Sequence, residues 1–274
     1  MNKYLFGVMF LTLMATVAMA VDTNTTVTIN NAAPTVGTLS IYPDDDIGTA
    51  GVQVNPIQNS NKLVTANATV TDINGYADVS SCSGDVYWSN GTNKQTGITG
   101  ALTGGSGNTV LCTIDFNMTY YDIYDNYTVN ITATDAAAAT GMNYSTFEYQ
   151  ELIAIAYTAG APVTFGSLAV GTANSTATNA PLTVADQGNV ALNLSWSGTD
   201  LVNASYSIPV ANVIAANQSS LSGAEYIVLA GGPQTLGTNI AVLGTYDSYD
   251  FISIPTGTAP LLYTGTIVTA AIKA

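Results

Sequence analysis

The sequence predicts an all-β protein: two tandem β-sandwich domains that follow an N-terminal signal peptide. After residue 20, apolar residues recur at every second position between Gly, Asn, Asp and Pro turns, which is typical of strands. No stretch there combines 3.6-residue apolar spacing with helix caps. With 274 residues, 47% of them hydrophobic, the chain is long enough for two cores. We predict a first sandwich over residues 34–150, a linker over 151–160 and a second sandwich over 161–274.

The first 20 residues have the pattern of a secretory signal peptide. Lys3 precedes an apolar run over residues 5–20 that ends in Ala18-Met19-Ala20, a small-x-small cleavage pattern. The run is short for a membrane-spanning helix. We predict cleavage after Ala20; a pilin-type leader whose apolar helix is retained is the alternative. No second apolar span follows, so we expect no integral membrane anchor and a secreted or cell-surface location.

Residues 21–33 form a short extension ahead of the first sandwich. Val27 and Ile29 alternate with polar residues in it. Such a segment is suited to add a strand to the open sheet edge of a neighbouring molecule. We therefore interpret the extension as a candidate donor strand.

Period-2 alternation marks the individual strands in both halves. In the first half it is clearest over residues 64–71 and 127–134, where apolar residues alternate with Thr and Asn. In the second half it runs over residues 190–196, and Phe251–Ile254 and Tyr263–Ile272 are further strands. Residues 211–218 are expected as a short helix or loop, and the Gly-rich residues 100–107 as a hairpin-like loop. About seven strands fall between residues 34 and 149, the number found in an immunoglobulin-like sandwich.

Two cysteines, Cys82 and Cys112, remain after cleavage. An even number in an exported chain favours one disulfide, with two free buried thiols as the alternative. The bridge would close a loop of about 30 residues and contribute roughly 3–4 kcal/mol in the chain-entropy model.

The charge balance excludes several functions. Only 8% of the residues are charged, with 18 acidic residues, four lysines, no arginine and no histidine, for a net charge of -14. This composition has no electrostatic footprint for nucleic acid. It also excludes Ser-His-Asp and Cys-His catalytic sites and His-ligated zinc within the chain. We expect no enzymatic activity.

Several segments resemble known surface modules. Residues 127–135 (YTVNITATD), together with residues 33–36 and the Val70–Asp78 turn region, resemble the immunoglobulin-like and PKD-like modules of archaeal and bacterial surface proteins. Residues 188–200, 254–258 and 263–270 are similar to sandwich modules of predicted archaeal cell-surface proteins. The resemblance implies an exported structural or adhesive protein, with Tyr127 as the corner tyrosine that ties a turn into the last strands.

Sequons for N-glycosylation recur along the chain. Several lie at outward strand positions, where a glycan would meet solvent; an Asn- and Thr-rich strand face that generates sequons by composition is the alternative. We predict covalent N-glycans, which would hydrate a surface that has few charges. The candidate sites are Asn24, Asn67, Asn90, Asn117, Asn126, Asn130, Asn143, Asn174, Asn193, Asn203 and Asn217.

Oxygen-bearing side chains at one end of the first sandwich suggest calcium as a possible cofactor. Asp72, Asn74 and Asp78 surround a tight turn, and Asp135 opens a loop that an immunoglobulin-like topology places at the same end. A plain Asn-Gly turn is the alternative. Asp44–Asp46 is expected at the opposite end as a solvated turn.

The favoured function is a secreted, N-glycosylated structural subunit of an extracellular filament or surface layer, with copies of itself as partners. The alternative is a soluble or surface adhesin or carbohydrate-binding module. It would use the calcium end or the tyrosines that crowd residues 120–127, because tyrosines on loops stack on sugars; ordinary packing between strands is the alternative for these tyrosines. Those tyrosines are Tyr120, Tyr121, Tyr124 and Tyr127.

Overall fold

The computed structural model describes residues 26–274, and the chain is all-β, as predicted. The predicted signal peptide over residues 1–20 and the sequon at Asn24 lie outside the described residues. Within them, no helix is long and apolar enough to span a membrane. Val27 and Ile29 are exposed and lie outside any strand.

Two five-stranded sheets contain every strand of the first half. One has the order β1-β4-β8-β7, with β2 also paired to β4, and the other has the order β3-β10-β9-β5-β6. The bounds are β1 (Thr35–Val36), β2 (Ser40–Tyr42), β3 (Gln53–Val54), β4 (Asn61–Thr71), β5 (Val79–Tyr87), β6 (Asn93–Thr99), β7 (Ala101–Ser106), β8 (Thr109–Thr119), β9 (Asp125–Asp135) and β10 (Thr140–Tyr149).

Strict alternation explains the pairing of the long strands. β4 and β8 are antiparallel, in register from Asn61↔Thr119 to Thr71↔Thr109. The apolar members of each strand are buried, except Leu63 and Leu111, which face outward with the Thr and Asn members. Because a slip of one residue would expose the apolar set, this pattern fixes the register.

The disulfide between Cys82 and Cys112 is present, as predicted, and it joins β5 to β8 across the two sheets. Gly100 leaves room for it, since a Cβ at this position would lie 2.4 Å from the Cys82 sulfur. The expectation of a loop at residues 100–107 is wrong for most of this stretch, which forms β7 and pairs with β8. At position 100 only glycine fits, because a side chain would collide with the Cys82 sulfur.

The second half contains a larger and a smaller sheet and a hairpin. The six-stranded sheet has the order β11-β13-β20-β17-β18, with β12 on β20; the three-stranded sheet has the order β19-β14-β21; and β15 pairs with β16. The bounds are β11 (Ile155–Ala159), β12 (Ser175–Thr176), β13 (Leu182–Asp186), β14 (Leu192–Gly198), β15 (Leu201–Asn203), β16 (Tyr206–Ile208), β17 (Val213–Ala216), β18 (Tyr226–Val228), β19 (Gln234–Ile240), β20 (Thr245–Ile252) and β21 (Ile267–Lys273).

Helix is limited, in the described residues, to two 3-10 turns, Tyr76–Asp78 and Val210–Asn212. The expected short helix or loop at residues 211–218 is therefore one 3-10 turn followed by β17. Residues 155–159 of the expected linker form β11, which pairs with β13.

Each half has its own hydrophobic core. The first includes Tyr127 and Phe147, whose rings stack with centroids 5.4 Å apart, and the second is built around Trp196. Ala32–Ala274 forms one compact unit. Independent folding of the two halves stays a prediction.

Candidate functional site

Three carboxylates converge at one end of the first sandwich. Asp72 follows β4, Asp78 precedes β5 and Asp135 ends β9. One oxygen from each lies within 4.8 Å of the others. The structure thus brings together three of the four residues that the sequence suggested for calcium.

The surrounding loops hold these carboxylates in place. Asp72 Oδ1 accepts the backbone N–H of Asn74 at 2.8 Å, and Asp135 Oδ1 accepts the N–H groups of Ala137 and Ala139 at 2.9 and 2.8 Å. The Asp78 carbonyl accepts the N–H of Ala136 at 2.8 Å, which links the two loops directly. The cluster is therefore preorganised by backbone hydrogen bonds.

The electrostatics of the cluster fit a hard cation. Asp72 is only 1% exposed, and its Oδ2 is buried without a hydrogen-bond partner. Desolvation and the negative charges of Asp72 and Asp135 raise the pKa of Asp78. A buried carboxylate oxygen without a donor is costly unless a cation neutralises it. Oxygen ligands of this kind suit calcium.

Asn74 has a different role in this geometry. Its side-chain Oδ1 accepts the backbone N–H of Ala32 at 3.0 Å. The amide therefore ties the first residue of the compact unit to the loop that carries Asp72.

The Asp44–Asp46 run is engaged in turn contacts. Asp45 pairs with Lys62 at 2.9 Å, and Asp46 accepts the Thr49 hydroxyl at 2.6 Å. Asp44 accepts the N–H of Gln53 at 3.2 Å. Residues 44–46 therefore form a turn whose carboxylates are engaged by neighbouring residues.

The sequon asparagines differ in their exposure and in whether the side-chain nitrogen, which would carry a glycan, donates hydrogen bonds. Asn143 donates its Nδ2 to the carbonyls of Val36 and Gly37 at 3.3 and 3.0 Å, and the Nδ2 of Asn203 donates to Leu262. A glycan on either nitrogen would compete with these bonds. Asn67, Asn130, Asn193 and Asn217 are partly exposed, and the more exposed group is Asn90, Asn117, Asn126 and Asn174.

The tyrosines of residues 120–127 are not all at the surface. Tyr127 is buried, and its hydroxyl donates to the carbonyl of Ile123 at 2.8 Å, the local bond that the resemblance implied. Tyr124 lies under Lys273, whose Nζ is 5.4 Å from the ring centre. Tyr120 and Tyr121 pack edge to face.

A different aromatic recess was not anticipated from the sequence. Tyr87, Trp88 and Tyr144 line a shallow cavity of about 280 Å³, with Lys94 Nζ 5.7 Å from the Trp88 ring centre. Tyr144 comes from β10 and the other two lie at the end of β5, so only the strand order places them together.

No protein-family model matches the chain, and no curated protein matches it. Among solved structures it is similar to a Niemann-Pick type C2 protein from Japanese carpenter ant, at 5% identity over 44% of this chain and 96% of that one, with a TM-score of 0.28. It is similar to a GspB Siglec domain at 18% identity, over 52% and 66%, with a TM-score of 0.27. It is also similar to carbohydrate-binding modules from the β-sandwich superfamily at 11% identity, over 89% and 97%, with a TM-score of 0.24. TM-scores this low identify neither a ligand nor an assembly.

Proposed function

We propose that the protein is a secreted, N-glycosylated structural subunit that assembles with copies of itself into an extracellular filament or surface layer. The observation that carries the proposal is a sheet edge: among residues 26–274, β21 pairs with β14 only, and its Val268 and Ile272 are exposed at 46% and 61%. An apolar edge strand is a template for pairing with another chain. The inter-sheet disulfide and the exposed sequons support an extracellular setting.

We also propose that the two halves are immunoglobulin-like or PKD-like modules of an archaeal-type surface protein. The corner tyrosine bond of Tyr127 and the disulfide between the sheets support this for the first half.

In this proposal the extension before Ala32 is the donor strand. Val27 and Ile29 are 81% and 80% exposed. Exposing two large apolar side chains to water costs free energy, and covering them in a neighbouring molecule on assembly would recover it.

The proposal is tested by negative-stain electron microscopy of the native protein, where we expect polymers. Replacing residues 21–31 by a scrambled sequence of the same composition, which breaks the alternation, should abolish them. A protein that stays monomeric at all concentrations would overturn the structural role, and polymers that survive the scrambling would overturn the donor strand.

A second candidate, an adhesin or carbohydrate-binding module, is favoured by the recess of Tyr87, Trp88 and Tyr144. An aromatic surface beside polar groups suits stacking on sugar rings. On a glycan array, Tyr144→Ala should lose binding, whereas Tyr206→Ala, an exposed tyrosine outside the recess, should retain it. Absence of glycan binding by the unaltered protein would exclude this candidate.

A further inference from the structure

The aromatic recess of the first half has a sequon asparagine in its own lining. Asn130, the first residue of an Asn-Ile-Thr sequon, lines the recess together with Tyr87, Trp88 and Tyr144. It lies on the outward face of β9, because its neighbours on either side along the strand are buried. A glycan on Asn130 would therefore begin inside the recess.

The strand pairing places aromatic rings beside this asparagine. Asn130 pairs with Tyr144 of β10 on one side and with Asp85 of β5 on the other. Side chains directly opposite each other in an antiparallel pair have Cβ atoms about 4.5–5.5 Å apart. Tyr87 follows Asp85 by two residues, so it occupies the diagonal position at roughly 7–8 Å. Two tyrosine rings are thus within reach of the first sugar.

The side-chain nitrogen of Asn130 is available for attachment. Within residues 26–274, the Asn130 side chain forms no hydrogen bond. Asp85, directly across from it, accepts the backbone N–H of Gly97 at 2.8 Å and the Tyr87 hydroxyl at 3.5 Å. A glycan on Asn130 would break no hydrogen bond of the protein, in contrast to one on Asn143.

Tyr144 offers the most accessible ring in the aromatic recess. Trp88 already contacts the Tyr127 ring, with centroids 4.9 Å apart, and the Lys94 ammonium at 5.7 Å. Tyr144 is 65% exposed. A tyrosine ring has an apolar face, which suits the C–H face of a sugar, and a hydroxyl that stays in water.

The size of the aromatic recess favours an attached sugar over a free one. Its volume of about 280 Å³ is below the roughly 300–1,000 Å³ of ordinary small-molecule sites, so it has room for little more than one sugar ring. A free sugar on such a small surface must offset its loss of translational and rotational freedom. A sugar linked to Asn130 avoids most of this loss, because the linkage keeps its effective concentration high.

We propose that the aromatic recess binds the protein's own N-glycan, linked to Asn130 and stacked on Tyr144 and Tyr87. Attachment joins Asn130 Nδ2 to the anomeric carbon of a lipid-linked sugar phosphate, the donor. The bond from that carbon to the phosphate oxygen breaks, the lipid phosphate leaves and the amide releases one proton. The inference rests on the N-glycosylation in the proposed function and assigns one glycan a fixed position on the protein surface.

The first test is the occupancy of Asn130. Peptide mass spectrometry of protein from a glycosylating host should find sugar on this residue. Sugar on other sequons with Asn130 bare overturns the inference and leaves the glycosylated function standing. Absence of sugar from every sequon overturns both.

The second test is the position of the linked sugar. In NMR spectra, its protons should be shifted upfield by the ring current of Tyr144, relative to the unfolded glycopeptide. Tyr144→Ala should abolish this shift, whereas Tyr206→Ala, an exposed tyrosine outside the recess, should preserve it. Sugar protons with the same shifts in the folded protein and in the unfolded glycopeptide overturn the inference.

The third test is stability, with Asn117 as the matched sequon. Asn117 is on β8 opposite Leu63 and has no aromatic residue at its diagonal positions, Asn61 and Thr65. In glycosylated protein, Asn130→Gln should lower the melting temperature by about 2–4 °C, the shift expected for one aromatic stacking contact. Asn117→Gln should leave it nearly unchanged, and neither change should matter in protein from a host that does not glycosylate.

A double-variant cycle attributes this effect to stacking. In the Tyr144→Ala background, Asn130→Gln should no longer lower the melting temperature, because the sugar has lost its ring. A decrease that persists without Tyr144, or equal decreases for Asn130→Gln and Asn117→Gln, overturns the inference. Binding of free glycans by the unglycosylated chain, combined with a bare Asn130 in the glycosylating host, assigns the recess to an external sugar instead.

Discussion

At the residue scale, the few charges of this protein are placed with specific partners. Each of the three lysines in the described residues forms an ion pair: Lys62 with Asp45, Lys94 with Asp122 and Lys273 with Glu151, at 2.9, 2.6 and 2.6 Å. Two further sets of acidic groups are notable: the cluster of Asp72, Asp78 and Asp135, and the buried Asp250 of the second half.

The first prediction concerns the acidic cluster. In the unaltered protein, calcium should raise the melting temperature, because it neutralises Asp72, Asp78 and Asp135 together. Asp72→Asn should remove most of this rise. Asp46→Asn, whose carboxylate is engaged in a turn, is the control and should keep it. An equal calcium effect in both variants, measured by differential scanning fluorimetry, would exclude the cluster as the binding site.

The second prediction concerns Asp250 on β20. Burial raises its pKa from the usual 3.8 to about 7, and its Oδ1 has no hydrogen-bond partner. The folded state therefore binds this proton more tightly than the unfolded state. The resulting stabilisation is complete below pH 3.8 and is lost as the pH rises through about 7.

Asp250→Asn should remove this loss, because the amide stays neutral. We expect little difference in unfolding free energy at pH 4 and a gain of up to about 4 kcal/mol at pH 8. Urea unfolding at both pH values measures it, with exposed Asp247→Asn as the control. A gain of the same size at both pH values would contradict the assigned protonation.

At the scale of elements, contacts between residues far apart in the sequence join strands whose association the alternation of apolar residues does not predict. The disulfide joins the two sheets of the first half. At the junction between the halves, Asn189 accepts the N–H of Leu152 at 2.7 Å and donates to the carbonyl of Gln150 at 2.9 Å. Gly188 is required beside it, since a Cβ there would lie 2.1 Å from the Leu152 carbonyl oxygen.

The disulfide gives the third prediction. Cys82→Ala with Cys112→Ala should lower the unfolding free energy by roughly 3–4 kcal/mol, because the unfolded chain gains entropy. Chemical denaturation measures this. Reductant should destabilise the unaltered protein by a similar amount and leave the double variant unchanged; an unaltered protein insensitive to reductant in the unfolded state would contradict the prediction.

The Asn189 contacts give the fourth prediction. Asn189→Ala should lower the free energy of unfolding by about 2 kcal/mol, because the partly buried N–H of Leu152 and carbonyl of Gln150 lose their hydrogen-bond partner. Hydrogen exchange should speed up at the amide of Leu152. Asn61→Ala, an exposed asparagine on β4, should have little effect on either measurement. Unchanged exchange at Leu152 would show that the junction is held by other contacts.

At the scale of the whole molecule, the outward faces carry Thr, Ser and Asn, and many large apolar side chains are exposed. With 8% charged residues, charge repulsion alone is a weak source of solubility. Glycans on exposed asparagines would hydrate this surface.

The fifth prediction tests that account. In protein from a glycosylating host, intact mass should show sugars, and replacing the exposed sequon asparagines by Gln should lower solubility. The replaced residues are Asn90, Asn117, Asn126 and Asn174. Gln at four exposed asparagines outside sequons, Asn55, Asn61, Asn93 and Asn108, is the control. Intact mass without sugars would exclude the glycan coat.

The sequence by itself determined the all-β class and the disulfide. It did so because period-2 alternation in strands such as β4 and β9 and a single pair of cysteines are local and compositional properties. It also suggested Asp72, Asp78 and Asp135, because turn residues at one end of a sandwich meet. Only the tertiary structure decided that the Asn74 side chain bonds to Ala32, that Tyr144 lies beside Trp88, and that strand ends of the second half line an apolar cavity. These features depend on strand order and on which strand ends meet, and alternation is the same for an edge strand and a central one.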